Sequence, residues 1–151
     1  MPEHHQIKPG PGGTFRHILV GFDGSSDANR ALRVAVALAG DLAGDVRVVM
    51  VVRLPAHAET EEERDRAVGS EKEDLSRGLS NIWDKGELRC VVSTDVLYAD
   101  DPASSIANYA EEHGFDLLVV GGHGREQIAH RGIGRSLEAL LRHRSCPVLV
   151  V

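Results

Sequence analysis

Short apolar runs alternate with segments of helical periodicity from His17 to the end of the chain. The runs are rich in Val, Ile and Leu and predict strands, whereas the segments between them repeat their apolar residues at helical spacing. Five strands are predicted, at residues 18–20, 46–52, 90–98, 117–120 and 148–151. Near-continuous apolar strands separated by helices are typical of a parallel sheet covered on both faces. The pattern therefore predicts an α/β fold.

Two of the predicted helices differ in how clearly their ends are marked. In the first, Ser26 is a candidate N-cap, and either Gly40 or Gly44 can end the helix. The second, at about residues 60–83, starts in a run of acidic residues that precedes a narrow apolar stripe. Such a run can attract a basic partner, but it is also what a solvated helix face looks like, and we assign it no function.

The third and fourth predicted helices carry the clearest boundary signals. Asp101 can cap the third helix, Pro102 suits its first position, and Gly114 follows its last turn. The fourth helix, at residues 137–142, is stopped by Pro147. These signals support the alternation of strands and helices in the second half of the chain.

Length and charge limit the classes of function. A chain of 151 residues that is 42% hydrophobic is the size of one domain, and we assign this domain to residues 15–151. Residues 1–14 are rich in proline and glycine without periodicity and are predicted to form a flexible tail. A net charge of −6 argues against nucleic-acid binding. No apolar stretch predicts a membrane span or a signal peptide, so we expect a cytoplasmic protein.

Cysteine usage gives no sign of a disulfide framework. Only Cys90 and Cys146 occur, each beside a predicted strand, and we expect two buried free thiols.

The most informative segment for function follows the fourth predicted strand. It reads Gly121-Gly122-His123-Gly124, then nine residues, then Gly134-Arg135-Ser136 at the start of a helical stretch. Glycines let backbone N–H groups approach an anion closely, and a helix N-terminus adds further donors and a positive dipole end. The segment therefore predicts a phosphate-binding loop.

A second candidate loop follows the first predicted strand. It places Asp23 at the strand end, just before a helix. The carboxylate can accept hydrogen bonds from a ribose hydroxyl or help to hold a metal, and it can equally be a turn or capping aspartate. In open α/β sheets ligands bind beyond the carboxyl ends of the strands, where the strand order reverses. The phosphate loop elsewhere in the sheet favours the functional interpretation.

Two standard phosphate-binding motifs are absent, and the spacing of the glycines resembles that of a different family. There is no Gly-x4-Gly-Lys-Ser/Thr motif, and Gln127 replaces the third glycine of the dinucleotide fingerprint. The Gly-x2-Gly-x9-Gly spacing between a Val-Val strand and a helix resembles the universal stress protein family. The resemblance runs from about Phe15 to Val151 and includes the opening at residues 18–25, Asp101-Pro102-Ala103 and residues 116–125.

This resemblance implies a fold, a ligand and an assembly. The fold is a three-layer α/β/α sandwich with a five-stranded parallel sheet in the order 3-2-1-4-5, Rossmann-like and similar to the adenine nucleotide alpha hydrolases. In one branch of the family ATP binds at the switch point between strands 1 and 4, with Mg²⁺ as the expected cation. The same cleft would accept AMP or cyclic AMP as alternatives. The family usually forms homodimers through the C-terminal strand.

The resemblance also implies roles for particular residues. Asp23 would meet the ribose, Val51 and Val120 would flank the adenine, and the backbone of three glycines would cradle the phosphates. The complete predicted binding set is Gly21, Phe22, Asp23, Val51, Val120, Gly121, Gly124, Arg125, Gly134, Arg135 and Ser136.

Two positions depart from the family pattern. Ser or Thr follows the last glycine in the ATP-binding branch, but here Arg135 intervenes and Ser136 comes one residue later. Because one residue at a helix start rotates a side chain by about 100°, the hydroxyl is displaced. Arg135 and Arg125 can supply charge-assisted bonds to phosphate, or they can be solvated or salt-bridged. Asp100 stands where the family commonly has glycine.

Catalysis has little support in the sequence. His123 lies in the glycine loop and could transfer a proton, although packing within the loop is the simpler role. No set of metal ligands or water-positioning groups accompanies it, so we expect nucleotide binding with slow hydrolysis at most.

The final predicted strand bears on assembly. In the 3-2-1-4-5 order it lies at an edge of the sheet, where an apolar strand invites pairing. It favours a homodimer, unless a neighbouring loop covers that edge. An alternative function is a dimeric interaction protein without a physiological nucleotide, which Arg135 and Asp100 support.

Overall fold

The computed structural model describes residues 15–53, 59–80, 88–122, 135–142 and 146–151. Within these ranges, five strands alternate with four helices along the chain. They are β1 (His17–Gly21), α1 (Ser26–Leu42), β2 (Asp45–Val52), α2 (Glu61–Ser80), β3 (Val91–Tyr98), α3 (Pro102–Glu112), β4 (Leu117–Val120), α4 (Arg135–Arg142) and β5 (Val148–Val150).

All pairings between neighbouring strands are parallel, and the strand order is β3-β2-β1-β4-β5. This confirms the predicted fold class and strand order. The order reverses at β1, where Val20 is in register with Val48 of β2 on one side and with Val119 of β4 on the other. The exits of β1 and β4 are therefore neighbours at the carboxyl end of the sheet.

Two apolar clusters lie on opposite faces of the sheet. Side chains alternate between the faces along each strand. Thus Ile18 and Val20 pack with α1 and α2 in the first cluster, whereas Leu19 packs with α3 and α4 in the second. Each face of the central strand is fully covered, which explains the unbroken apolar sequence of β1. The result is a three-layer α/β/α sandwich.

The ends of α1 differ in detail from the sequence prediction. Ser25, rather than Ser26, is the N-cap, because its backbone is extended and its Oγ accepts a hydrogen bond from the Ala28 N–H at 3.1 Å. At the other end Ala43, and not a glycine, takes the left-handed conformation, with φ of 55°. Gly44 serves a different need, since a Cβ there would lie 2.6 Å from the Arg16 carbonyl oxygen.

The remaining helices match the prediction closely. In α3, Asp101 is the N-cap, Pro102 opens the helix, and Gly114 has φ of +69° just beyond its end. The described part of α2 ends at Ser80, so the predicted end at Trp83 lies outside the described residues. The start of α4 is earlier than predicted, at Arg135 instead of Leu137.

Neither cysteine forms a disulfide bond, as predicted, but both are half-buried and not buried. Burial raises the pKa of the Cys90 thiol, and the nearby Asp45 carboxylate adds to the effect. The thiol lies 3.9 Å from the Val36 carbonyl oxygen, to which it donates. Among the described helices, none combines the length and apolar character that a membrane crossing requires.

Candidate functional site

The exit of β1 begins with two residues whose positions are set by the sheet. The Phe22 N–H donates to the Val49 carbonyl oxygen at 2.9 Å, which extends the pairing of β1 with β2 beyond Gly21. The Phe22 side chain is 8% exposed and belongs to the cluster under α1. Its ring is therefore part of the core, and only its backbone remains to face a ligand.

Asp23 forms the turn between β1 and α1. One carboxylate oxygen, Oδ1, accepts a hydrogen bond from the Ser25 N–H at 2.9 Å, and Gly24 between them has φ of 79°. The turn interpretation of Asp23 is therefore seen directly. The same hydrogen bond fixes the direction of the carboxylate at the strand end.

The first turn of α1 carries a pair of opposite charges. The Asp27 side chain is 13% exposed and pairs with the Arg30 guanidinium one turn later. A carboxylate at a helix N-terminus is stabilised by the helix dipole, but by itself it would repel a bound phosphate. The Arg30 charge offsets part of that repulsion.

Gly121, at the exit of β4, packs directly against the first turn of α1. A Cβ at Gly121 would lie 2.7 Å from the Asp27 carbonyl carbon and 2.9 Å from the Ala28 nitrogen. No side chain fits there, so this position requires glycine. The close contact brings the exit of β4 and the start of α1 together, at the point where the strand order reverses.

The neighbouring Gly122 anchors this segment to the last strand. Its N–H donates to the Val151 carbonyl oxygen at 2.9 Å, while the Val151 N–H donates to Val120 at the same distance. The entrance to the glycine-rich segment is thus held on both sides, by α1 and by the end of β5.

The predicted apolar residues lie on the opposite face of the sheet, under α3. Val120 is 6% exposed, and half-buried Val51 packs against the same cluster. Gly21 lies between their strands, and a Cβ there would be 3.2 Å from Val120 Cγ1 and 3.3 Å from Ile106 Cδ1. The ends of β1, β2 and β4 therefore contribute to one apolar layer that α3 covers.

The structure describes only some of the other residues in the predicted binding set. Gly124, Arg125 and Gly134, together with His123, lie outside the described residues. Arg135 and Ser136 are the first two residues of α4. In the described ranges, no cluster of three or more His, Cys, Asp or Glu side chains is placed to hold a metal ion.

Two residues at the site were not identified from the sequence. Asp27 and Ile106 look like an ordinary first-turn acid and an ordinary apolar helix residue. Their proximity to Gly121 and Gly21 is created by tertiary packing. No spacing in the sequence signals it.

Known proteins of the same architecture match almost the whole chain. "Universal stress protein YxiE" of Bacillus subtilis is 28% identical over 152 residues, covering 91% of this chain and 99% of the relative. The solved structure of UspA from Lactobacillus plantarum has a TM-score of 0.76 at 23% identity and covers 92% of this chain and 99% of its own.

A second similar structure is that of a complex with a nucleotide. The universal stress protein from Archaeoglobus fulgidus in complex with dAMP is 26% identical, with a TM-score of 0.62, and covers 91% of this chain and 98% of its own. The sequence model of the universal stress protein family matches residues 14–151. Together with the five-stranded parallel sheet and its strand order, these matches show that the chain belongs to the universal stress protein family.

Proposed function

We propose that this chain binds an adenine nucleotide at the carboxyl end of the sheet, between the exits of β1 and β4. The observation that carries the proposal is the packing of Gly121 against Asp27 and Ala28, which brings the two exits together. In open α/β sheets this switch point is where the crevice for a ligand forms.

Each part of the nucleotide has a candidate partner. The Asp23 carboxylate, oriented by the Ser25 N–H, would accept hydrogen bonds from ribose hydroxyls. Half-buried Val51 and the strand end at Val120 would flank the adenine. Backbone N–H groups at Gly121, and at Gly124 and Gly134 outside the described residues, would cradle the phosphates.

We propose ATP with Mg²⁺ as the ligand, with AMP and cyclic AMP as the alternatives that use the same cleft. The dAMP complex of the Archaeoglobus fulgidus protein supports the broader class of adenine nucleotides. Arg125 and Arg135 would offset the additional negative charge of a triphosphate.

We also propose a homodimer through β5. This strand is at the edge of the sheet, and Val150 on it is 42% exposed. An isologous pairing of the two β5 strands would cover that side chain and close the edge.

A second candidate function is a dimeric interaction protein without a nucleotide. It is favoured by the start of α4, whose first residue is Arg135, with Ser136 second. If the Ser136 hydroxyl is required next to the last glycine, the phosphate cradle is incomplete and the nucleotide proposal fails.

Calorimetric titration of Mg·ATP, AMP and cyclic AMP tests the proposal. We expect wild-type binding tighter than roughly 100 μM, equivalent to about −5.5 kcal/mol. Gly124→Val, which would block close approach of a phosphate to the glycine loop, should abolish that binding.

Gly69→Val is the matched control for this titration. Gly69 is an exposed residue of α2, with no atom within 4 Å of a Cβ built there, so the same substitution should leave affinity unchanged. No heat from any nucleotide with wild-type protein, confirmed by the absence of a shift in melting temperature, would contradict nucleotide binding and favour the interaction protein.

A further inference from the structure

The edge strand β3 presents half of its backbone groups outward. The Ala99 N–H donates to the Val52 carbonyl oxygen at 3.3 Å, which shows that odd-numbered residues along β3 face β2. In a parallel ladder the direction alternates from residue to residue. The even-numbered residues Val92, Thr94 and Val96 therefore point their N–H and C=O groups away from the sheet.

Asp95 occupies the middle of this outer edge. Its Oδ1 accepts a hydrogen bond from the outward N–H of Val96 at 2.9 Å. A strand that joined the sheet here would have to displace this carboxylate from the backbone donor. The Val96 N–H, near the middle of the edge, is thus already hydrogen-bonded within the chain.

Groups from both faces of the sheet hold the Asp95 carboxylate in place. The Tyr109 hydroxyl of α3 donates to Oδ2 at 2.9 Å, and the Lys72 Nζ of α2 lies 3.8 Å from Oδ1. The Arg47 guanidinium donates in turn to the Tyr109 oxygen at 3.1 Å. The Asp95 carboxylate is therefore held at the edge by the Tyr109 hydroxyl on one face of the sheet and the Lys72 ammonium on the other.

Without Asp95, the sequence of β3 would favour pairing with another strand. It contains four β-branched or aliphatic residues at its two ends, and Val91 is 73% exposed. Exposed apolar edge strands are templates for strand addition, and charged side chains at the edge are a common way to prevent it. In a two-fold pairing centred near Asp95, the two carboxylates would also approach and repel each other.

We propose that Asp95, held by Tyr109 and Lys72, closes the β3 edge to pairing with β3 of a second copy of this chain. Self-association is thereby confined to other surfaces. This inference is independent of nucleotide binding, which we place between the exits of β1 and β4, and it concerns the opposite edge of the sheet from β5.

Sedimentation velocity over a wide concentration range tests the proposal with full-length protein. The substitution Asp95→Thr removes the charge and introduces a residue that favours strands. Its weight-average mass should rise with concentration to about twice the wild-type value or more, because one new isologous interface at least doubles the assembly. Asp74→Thr, which removes the same charge from an exposed position on α2, should sediment like wild type.

A second change separates edge pairing from general aggregation. Adding Thr94→Glu to Asp95→Thr returns a carboxylate to the same edge, in the groove that Thr94 shares with Lys72. The double variant should regain the wild-type mass. Association that the added glutamate does not reverse would overturn the proposal, as would a folded Asp95→Thr that sediments like wild type.

Asp95→Ala removes both the charge and the acceptor of the Val96 N–H, and it decides the matter if the threonine variant does not fold. It should also associate more than wild type. A folded Asp95→Ala with wild-type sedimentation at every concentration, together with an unfolded threonine variant, would overturn the proposal.

Discussion

The two ends of the sheet use aspartate in different ways. At the amino end, the Asp116 carboxylate accepts hydrogen bonds from the Arg16 N–H at 2.9 Å and the His17 N–H at 3.1 Å, which fastens β4 to the start of β1. At the carboxyl end, the Asp23 carboxylate holds Ser25 of its own turn. The Asp116 carboxylate joins two strands, whereas the Asp23 carboxylate shapes its own loop at the switch point, where we propose that the nucleotide binds.

Glycines show the same difference between the two ends. Gly44 at the amino end makes room for the Arg16 carbonyl group, so that β2 can start beside β1. Gly121 at the carboxyl end makes room for the first turn of α1. The first close approach completes a pairing of strands, while the second brings the exit of β4 against the start of α1.

The largest effect is expected for Gly121→Ala, which disturbs the carboxyl end. The added Cβ would meet backbone atoms of Asp27 and Ala28, so one element must shift, at a cost of about 1–3 kcal/mol in the free energy of unfolding. Nucleotide affinity should fall as well. Urea denaturation and calorimetry measure the two effects.

Gly122→Ala is the matched control for that substitution. Its Cβ would lie 3.6 Å from the nearest atom, the Val151 carbonyl oxygen, which is an ordinary contact. If both alanine variants unfold at the same urea concentration, the close packing of Gly121 against α1 does not explain why glycine occupies this position.

Asp116→Ala should disturb the amino end alone. Loss of the two charge-assisted hydrogen bonds to Arg16 and His17 should lower the free energy of unfolding by about 1–2 kcal/mol. Nucleotide affinity should stay at the wild-type value. Asp41→Ala, which removes an exposed acid from α1, serves as the control. A loss of affinity in Asp116→Ala equal to that in an Asp23→Ala variant would contradict the division between the two ends.

Alkaline pH should weaken the fold through Tyr109. Burial raises the pKa of its hydroxyl, and the hydrogen bond to Asp95 acts in the same direction, while Arg47 opposes them. Above pH 10.0, the ordinary pKa of tyrosine, the unfolded chain releases this proton before the folded chain does. The folded state then binds more protons, so the free energy of unfolding falls as the pH rises.

Tyr109→Phe isolates that contribution. Urea denaturation at a series of alkaline pH values should give a shallower decline for the variant than for wild type. Parallel declines would show that the Tyr109 proton does not affect stability.

The smallest effect is expected for His17→Ala at the amino end. The His17 Nδ1 lies 2.7 Å from Asp45 Oδ1, but the two side chains are 60% and 50% exposed. Solvent screens such a pair, so its loss should change the free energy of unfolding by less than about 1 kcal/mol, and less at high salt. A large, salt-independent loss of unfolding free energy would show that this pair, like Asp116, makes a major contribution to holding the strands together.

Most of the fold could be predicted from the sequence because its signals are local. The apolar runs of β1 and β4 and the Asp101-Pro102 start of α3 each depend on neighbouring residues only. The N-cap of α1 was wrong by one residue because Ser25 and Ser26 can both cap, and only the extended backbone at Ser25 decides between them. The strand order was implied by the family resemblance and confirmed by the structure.

The candidate site could be predicted only in its local parts. A carboxylate after a strand marks the Asp23 turn, and a run of glycines marks the exit of β4. The contact between Gly121 and Asp27 joins residues far apart in the chain, so no periodicity reveals it. The roles of Arg135 and Ser136 remain predictions, because their effect depends on how the glycine loop approaches a phosphate.

Nucleotide binding at the switch point is tested most directly by amide NMR spectra recorded during a titration with Mg·ATP, and then with AMP. We predict that the signals of residues 21–25 and of Gly121 and Gly122 shift together and saturate, while those of Arg16, His17 and Asp116 stay in place. Saturating shifts centred on the amino end, or no shifts with either nucleotide, would contradict the account.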